Sequence, residues 1–248
     1  MAILKTWRNS VKSWNEPVVQ QLDEKTFVVR DDIIPGGTKR TFVDSLIEST
    51  GAEEIVYASP VYGGAQIAIA HAARELGIRA TIFCAKRNEP HARTIEAKNA
   101  GAKIVLVPNG YFSNVTSKAR RYCDATGATL LPFGLDCPAA IEAISVRARR
   151  VQEIIDTKIE SVWAVAGSGV LIRGIQNGLI AQNYNAVQIG RKLNQSDVGQ
   201  ATIHVCPLTF ETNAKIKPPF PSCSNYDAKA WAPFVLDTRT KLLWNVMA

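Results

Sequence analysis

The sequence predicts an α/β protein whose sheets are parallel and carry helices on both faces. Three observations predict it: β-prone runs and helix-period segments alternate strictly, the connections between them are short, and 46% hydrophobic residues in 248 supply an ample core. The chain is irregular until Phe27-Val28-Val29-Arg30, a short β-prone run that ends in a Pro35-Gly36-Gly37 turn. Phe42, Val43, Leu46 and Ile47 then follow helical spacing, which predicts a helix over 38–49. Strands are expected over 54–58, 80–84 and 103–107, with helices over 65–76, 91–100 and 114–126 between and after them. An apolar run over 129–133 reads as a further strand, and a long helix over 138–155 carries Arg147, Arg149 and Arg150. A buried strand over 161–166 feeds Gly167-Ser168-Gly169, followed by a helix over 170–182 and strand-like runs over 186–190 and 201–206. Pro207, Pro218, Pro219, Pro221 and Pro233 crowd the last forty residues, where regular structure should thin out.

Composition removes several function classes. No run of about 18 apolar residues occurs, and Lys5, Arg8 and Lys12 interrupt the N-terminal stretch where a secretion signal needs apolar residues, so the expected location is the cytoplasm, without a membrane partner. Five cysteines lie far apart without a CxxC pair, and three histidines are equally scattered; neither a disulfide framework nor a metal site is expected. The formal charge of +7 favours polyanions if it gathers on one face, and otherwise describes a solvated surface.

Three segments carry chemistry. In Arg30-Asp31-Asp32-Ile33-Ile34-Pro35-Gly36-Gly37-Thr38-Lys39-Arg40, a lysine follows a Gly-Gly turn at the start of a predicted helix, where the positive end of the helix dipole favours the neutral amine that forms imines. Taken alone it also fits a solvated lysine in an ordinary turn. Ser59-Pro60-Val61-Tyr62-Gly63-Gly64-Ala65-Gln66 lies between a strand and a helix, where backbone amides could hold a carboxylate. Gly167-Ser168-Gly169-Val170 repeats that geometry and suits a phosphate: small residues clear the way, and Ser168 adds a hydroxyl donor. The segment lacks the GK[ST] of a P-loop and meets GxGxxG only loosely, with no acidic residue at the usual distance for a dinucleotide site.

Together these segments resemble the fold-type II pyridoxal phosphate (PLP) enzymes, the tryptophan-synthase β-like group, and most closely its aminocyclopropane-carboxylate deaminase and D-cysteine desulfhydrase branch. The resemblance runs from about Phe27 to Leu179. It implies two parallel-sheet domains, a large PLP-binding one over 1–49 and 129–248 and a small mobile one over 50–128, with a homodimer as the expected assembly. It makes Lys39 the catalytic Schiff-base lysine, places the cofactor on Lys39, Gly64, Gly167, Ser168, Gly169 and Val170, and places substrate on Ser59, Tyr62, Gly63 and Gln66. The asparagine that such enzymes set against the cofactor ring is replaced near Gly63-Gly64, and the partner of the pyridine nitrogen is open among Cys206, Thr209 and Ser222.

The implied activity is a PLP-dependent lyase acting at Cα of an amino-acid group. Two substrates fit: a free amino acid that loses a β-group or is deaminated, or an amino acid attached to a thymine base in bacteriophage DNA that loses its carboxyl. The shortened frame and the basic residues Arg40, Lys86, Arg87, Arg147, Arg149, Arg150, Arg191 and Lys192 favour the second. A PLP- or nucleotide-binding protein without catalysis is the alternative of another class.

Overall fold

The alternation resolves into two sheets in a computed structural model that describes residues 14–108 and 111–248. The basic N-terminal stretch over 1–13 lies outside the described residues. Strands β1 (Val19–Asp23) and β2 (Thr26–Arg30) form an antiparallel hairpin, followed by α1 (Val43–Thr50). Next come β3 (Glu54–Ala58), α2 (Ala65–Leu76), β4 (Arg79–Ala85), α3 (Ala92–Asn99), β5 (Lys103–Val107), α4 (Phe112–Thr126) and β6 (Thr129–Leu130). The chain continues through α5 (Pro138–Ile154), β7 (Ser161–Ala166), α6 (Val170–Gly178), β8 (Asn183–Gln188), α7 (Gln195–Val198), β9 (Thr202–Val205), α8 (Trp231–Val235) and β10 (Lys241–Asn245).

The larger sheet has the order β1-β2-β10-β7-β8-β9, parallel except for its β1 edge, and the smaller is the parallel β5-β4-β3-β6. The smaller sheet therefore takes in β6, just past the boundary expected at residue 128. Side-chain alternation along β7 sends Val162, Ala164 and Ala166 toward one helical layer, and Trp163 and Val165 toward Phe220, Ala230 and Phe234 on the other face. Both faces are covered, which is why these strands read as continuous apolar runs.

Several expectations are corrected. The chain, expected to be irregular until Phe27, already forms β1 over Val19–Asp23. The helix expected over 38–49 is split into a 3-10 turn, Gly37–Thr41, and α1, because Phe42 at φ −135° breaks the spiral. The run over 129–133 pairs only through β6: Pro132 has no amide to donate, and a second 3-10 turn begins at Phe133. The helix expected to reach 182 stops at Gly178, with Leu179 already extended, and β8 starts earlier than expected, at Asn183. The proline-rich tail, where regular structure was expected to thin, ends in β10, a fully buried strand in the middle of the larger sheet.

What locks β10, β2 and α5 together is one carboxylate. Asp31, with no exposed surface, accepts from Arg147 of α5 (Nη2 to Oδ1, 2.5 Å), from Trp244 of β10 (Nε1 to Oδ2, 2.9 Å) and from Thr38 (Oγ1 to Oδ2, 2.8 Å). A buried ion pair deprived of one partner leaves an uncompensated charge, at a cost of about 3–5 kcal/mol. Asp31→Ala should therefore lower unfolding stability by about that amount, read from the denaturant midpoint. A loss under about 1 kcal/mol would mean that Arg147 finds water or another acceptor.

Candidate active site

Lys39 is delivered by its two preceding glycines. Gly36 and Gly37 adopt φ of 91° and 71°, and a β-carbon on them would lie 2.7 Å from Ala68 Cα and 2.3 Å from the Val246 carbonyl oxygen. Any other residue would clash with α2 on one side or the chain after β10 on the other. The turn is pinned further by the Thr38 amide donating to Val246 O (3.2 Å) and the Thr38 hydroxyl donating to Asp31.

Lys39 lies near the C-terminal end of a short 3-10 turn, so the dipole argument made from sequence does not apply to it. Burial instead holds its pKa below the ordinary lysine value, against the opposing charge of Asp227. The ammonium makes no hydrogen bond or ion pair among the described residues.

Its side chain borders a narrow cleft of about 80 Å³ between the two sheets. Tyr62, Gly63 and Gly64 line the cleft from the small-sheet side, Gly167 and Ser168 from the large-sheet side. A second, smaller recess of about 40 Å³ adjoins at Lys39 and is bounded by Thr38, Gly167, Ser168, Gly169 and Val170. This recess fits a phosphate. It stands at the N-terminus of α6, whose first amides have no partner within the helix, and Gly169 at φ 87° brings the backbone so close to α7 that a β-carbon would meet Asp197 O at 1.8 Å. Ser168 packs against Gly134, where a β-carbon would sit 2.5 Å from its hydroxyl.

The remaining expected residues are placed differently. Gln66 is fully buried and borders neither cleft: its amide nitrogen donates to Val61 O (3.2 Å) and Gly63 O (2.9 Å), bracing the loop from within. Ser59 donates to Pro60 O (2.9 Å) and borders an outer cleft rather than the one at Lys39. Among the residues considered for the pyridine nitrogen, Cys206 and Thr209 also face the outer cleft, and Ser222 donates to Asn245 Oδ1 (2.7 Å).

Tertiary structure brings three residues to the site that sequence reasoning did not single out. Asp227, which accepts from the Val246 and Met247 amides (3.3 Å each), is pushed up to about 7 by burial, while the charges of Arg93 and Lys39 pull the other way. Burial also raises Tyr226, whose hydroxyl meets the Gly167 amide. Arg93 of α3 reaches across to the C-terminal segment, donating to Met247 Sδ (2.7 Å) and to Cys223 Sγ. Arg93 is only 8% exposed, and its partners here are sulfurs rather than a carboxylate. Tyr226-Asp227 lies in the irregular tail, where no motif or period marks it.

Much of the basic set is neutralised. Arg147 pairs with Asp31, Arg40 with Asp44 and Glu75, Arg149 with Glu142, Arg150 with Glu16 and Glu153, and Arg191 with Asp197. Lys86, Arg87 and Lys192 stand exposed at the surface. All five cysteines are free, and no group of three or more His, Cys, Asp and Glu among the described residues could hold a metal ion. No helix among them is long and apolar enough to cross a membrane.

No curated protein matches the sequence. Among solved structures, an ACC deaminase homologue superposes with a TM-score of 0.75 at 16% identity, covering 92% of this chain and 88% of its own. O-ureido-L-serine synthase gives 0.68 at 16% identity, over 93% of this chain and 87% of its own. Diaminopropionate ammonia lyase of Escherichia coli gives 0.66 at 13% identity, over 90% and 77%. At these identities the likeness is one of fold, and that fold is the fold-type II architecture. The family described as pyridoxal-phosphate dependent enzyme matches residues 18–214, more than half of the chain, and the recess at the α6 N-terminus and the half-buried Lys39 suit that cofactor: the protein is a member of the PLP-dependent enzyme family.

Proposed function

We propose that the protein is a PLP-dependent lyase that removes the carboxyl group from an amino acid carried on a thymine base in DNA. The observation that carries this reading is the shape of the access route. Past Pro60, Tyr62 and Phe210 the Lys39 cleft opens into an outer cleft of about 600 Å³, bounded also by Arg87, Phe112, Gln188 and Thr209. A free amino acid needs only the inner cleft. The outer one leaves room for the larger body on which the amino acid is carried, and the exposed Arg87 at its wall suits an anionic backbone.

In this reading PLP, when bound, withdraws electrons from the Cα bond that breaks. The α6 N-terminus with Gly167, Ser168 and Gly169 would hold its phosphate, and Lys39 its aldehyde carbon. In the decarboxylation Lys39 in its protonated form would give a proton to Cα as carbon dioxide leaves, whereas in an elimination its neutral form, which desolvation favours, would take the proton from Cα. Asp227, which burial holds partly protonated near neutrality, faces Lys39 across the site, and Tyr62, Phe210 and Met247 line the cleft at the reacting centre.

A second reading, elimination from a free amino acid with its carboxylate retained, is favoured by Arg93. A guanidinium stays charged, and one set in the cleft wall against two weak sulfur acceptors is available to grip a carboxylate beside the α2 N-terminus. The two readings differ in product. Carbon dioxide and an amine on DNA support the first, whereas ammonia and a 2-oxo acid from a free amino acid support the second.

Two outcomes test the site itself. Lys39→Ala should lose the long-wavelength absorption band of the bound cofactor and lower turnover by about 10²–10⁴-fold; an unchanged band would remove Lys39 from the cofactor. Asp227 ionises at about 7 in the folded protein against an ordinary 3.8, so the folded state keeps a proton that the unfolded chain has released within that window. Its stabilising contribution is therefore full below the ordinary value and is lost as pH rises through about 7. Wild-type stability should decline across that window relative to Asp227→Asn, as read from denaturant midpoints at several pH values. Parallel profiles would mean that Asp227 is solvated and titrates normally.

A further inference from the structure

We propose that Tyr62 and Phe210 form a stacking site for a planar heteroaromatic ring borne by the substrate, so that these two side chains set substrate class. The inference rests on the reading that the reacting amino acid is carried on a base. Four aromatic rings form a continuous ladder from the small-sheet side to the large: His91 to Tyr62 with centroids 4.7 Å apart, Tyr62 to Phe210 at 5.5 Å, and Phe210 to Tyr226 at 5.6 Å. Tyr62 and Phe210 border both the inner and the outer cleft, whereas Tyr226 borders only the inner of the two. With Pro60, the two rings form the wall shared by the inner and the outer cleft, where a group joined to an amino acid at Lys39 would pass outward.

An aromatic wall of this kind selects by flatness. Stacking on an exposed aromatic face is sequence-tolerant and adds affinity that a flexible aliphatic chain does not gain. Phe210 is placed to yield: it belongs to the irregular stretch between β9 and α8, only half-buried, and its ring abuts Gly190, where a β-carbon would stand 3.4 Å away. At 45° to Tyr62 it leaves no slot for a third ring, so an entering ring takes its place against Tyr62 or lies on the outer face of the pair. Gln188 on the outer wall adds a polar handle. Its amide oxygen accepts from the Leu193 amide (2.8 Å), which leaves its NH₂ to donate to a ring carbonyl.

The test uses the PLP-loaded enzyme with three single-stranded probes of equal length: oligothymidylate, an abasic oligonucleotide, and one carrying a single 2-aminopurine. Wild type should bind the thymidylate about tenfold more tightly than the abasic strand and quench the 2-aminopurine. Phe210→Leu and Tyr62→Leu should lose both effects while keeping the cofactor band that reports a folded site, and Phe210→Tyr should restore them. Equal binding of thymidylate and abasic strands by wild type, or discrimination that survives both leucine variants, would overturn the stacking site. Turnover of DNA carrying an amino acid, followed in parallel, separates the two ideas. Discrimination without turnover keeps the stacking site and removes the proposed reaction, and turnover without discrimination does the reverse.

Discussion

The buried carboxylate of Asp31 is the constraint on which the rest of the site depends. It accepts hydrogen bonds from α5, from β10 and from the residue before Lys39, three segments that lie far apart in sequence. A charge in that position must be paired, and its pairing fixes the azimuth of the Lys39 turn relative to the large sheet. Its neighbour Asp32 does related work, accepting from Arg30 through two hydrogen bonds of 2.8 Å. The Asp-Asp pair is thus scaffolding for the lysine, and neither acid borders the cleft.

Close backbone approach is the second constraint. Gly36 against α2, Gly37 against the Val246 carbonyl, Gly64 against the Met247 sulfur and Gly169 against α7 each occupy a place where a β-carbon would overlap a neighbour. The C-terminal residues Val246 and Met247 recur in these contacts, and their amides also hold Asp227. The tail is therefore the floor of the active site, and its central strand carries the segment there. Lys39, Asp227 and Arg93 consequently lie within reach of one another's charge although they come from three distant parts of the chain.

Charge is handled in two ways. Most arginines that looked like a basic face are tied to acids, several at hydrogen-bond distance, so the formal excess of positive charge is less concentrated than sequence order implied. Arg93 is the contrast, a buried guanidinium held by sulfur at the edge of the cleft. An anion entering there would meet a cation whose hydration has already been removed, a setting in which electrostatic interaction is stronger than at a surface.

Sequence by itself determined the α/β class, most strand and helix positions from β3 to β8, the Gly-Gly-Thr-Lys turn and the glycine loop before α6. These are legible because they rest on local rules: period, apolar runs, and glycine where the backbone must turn left-handed or approach an anion. Only the tertiary structure decided that Lys39 sits in a 3-10 turn, that Gln66 braces a loop instead of facing the cleft, and that Arg147 neutralises Asp31. It alone brought Tyr226, Asp227 and Arg93 to the lysine and put β10 in the middle of the sheet. Those outcomes depend on pairings across the whole chain, between residues whose local sequence contains no record of the partner. Burial then sets the protonation of Lys39 and Asp227, because desolvation is a property of the assembled cleft and not of the residues that line it.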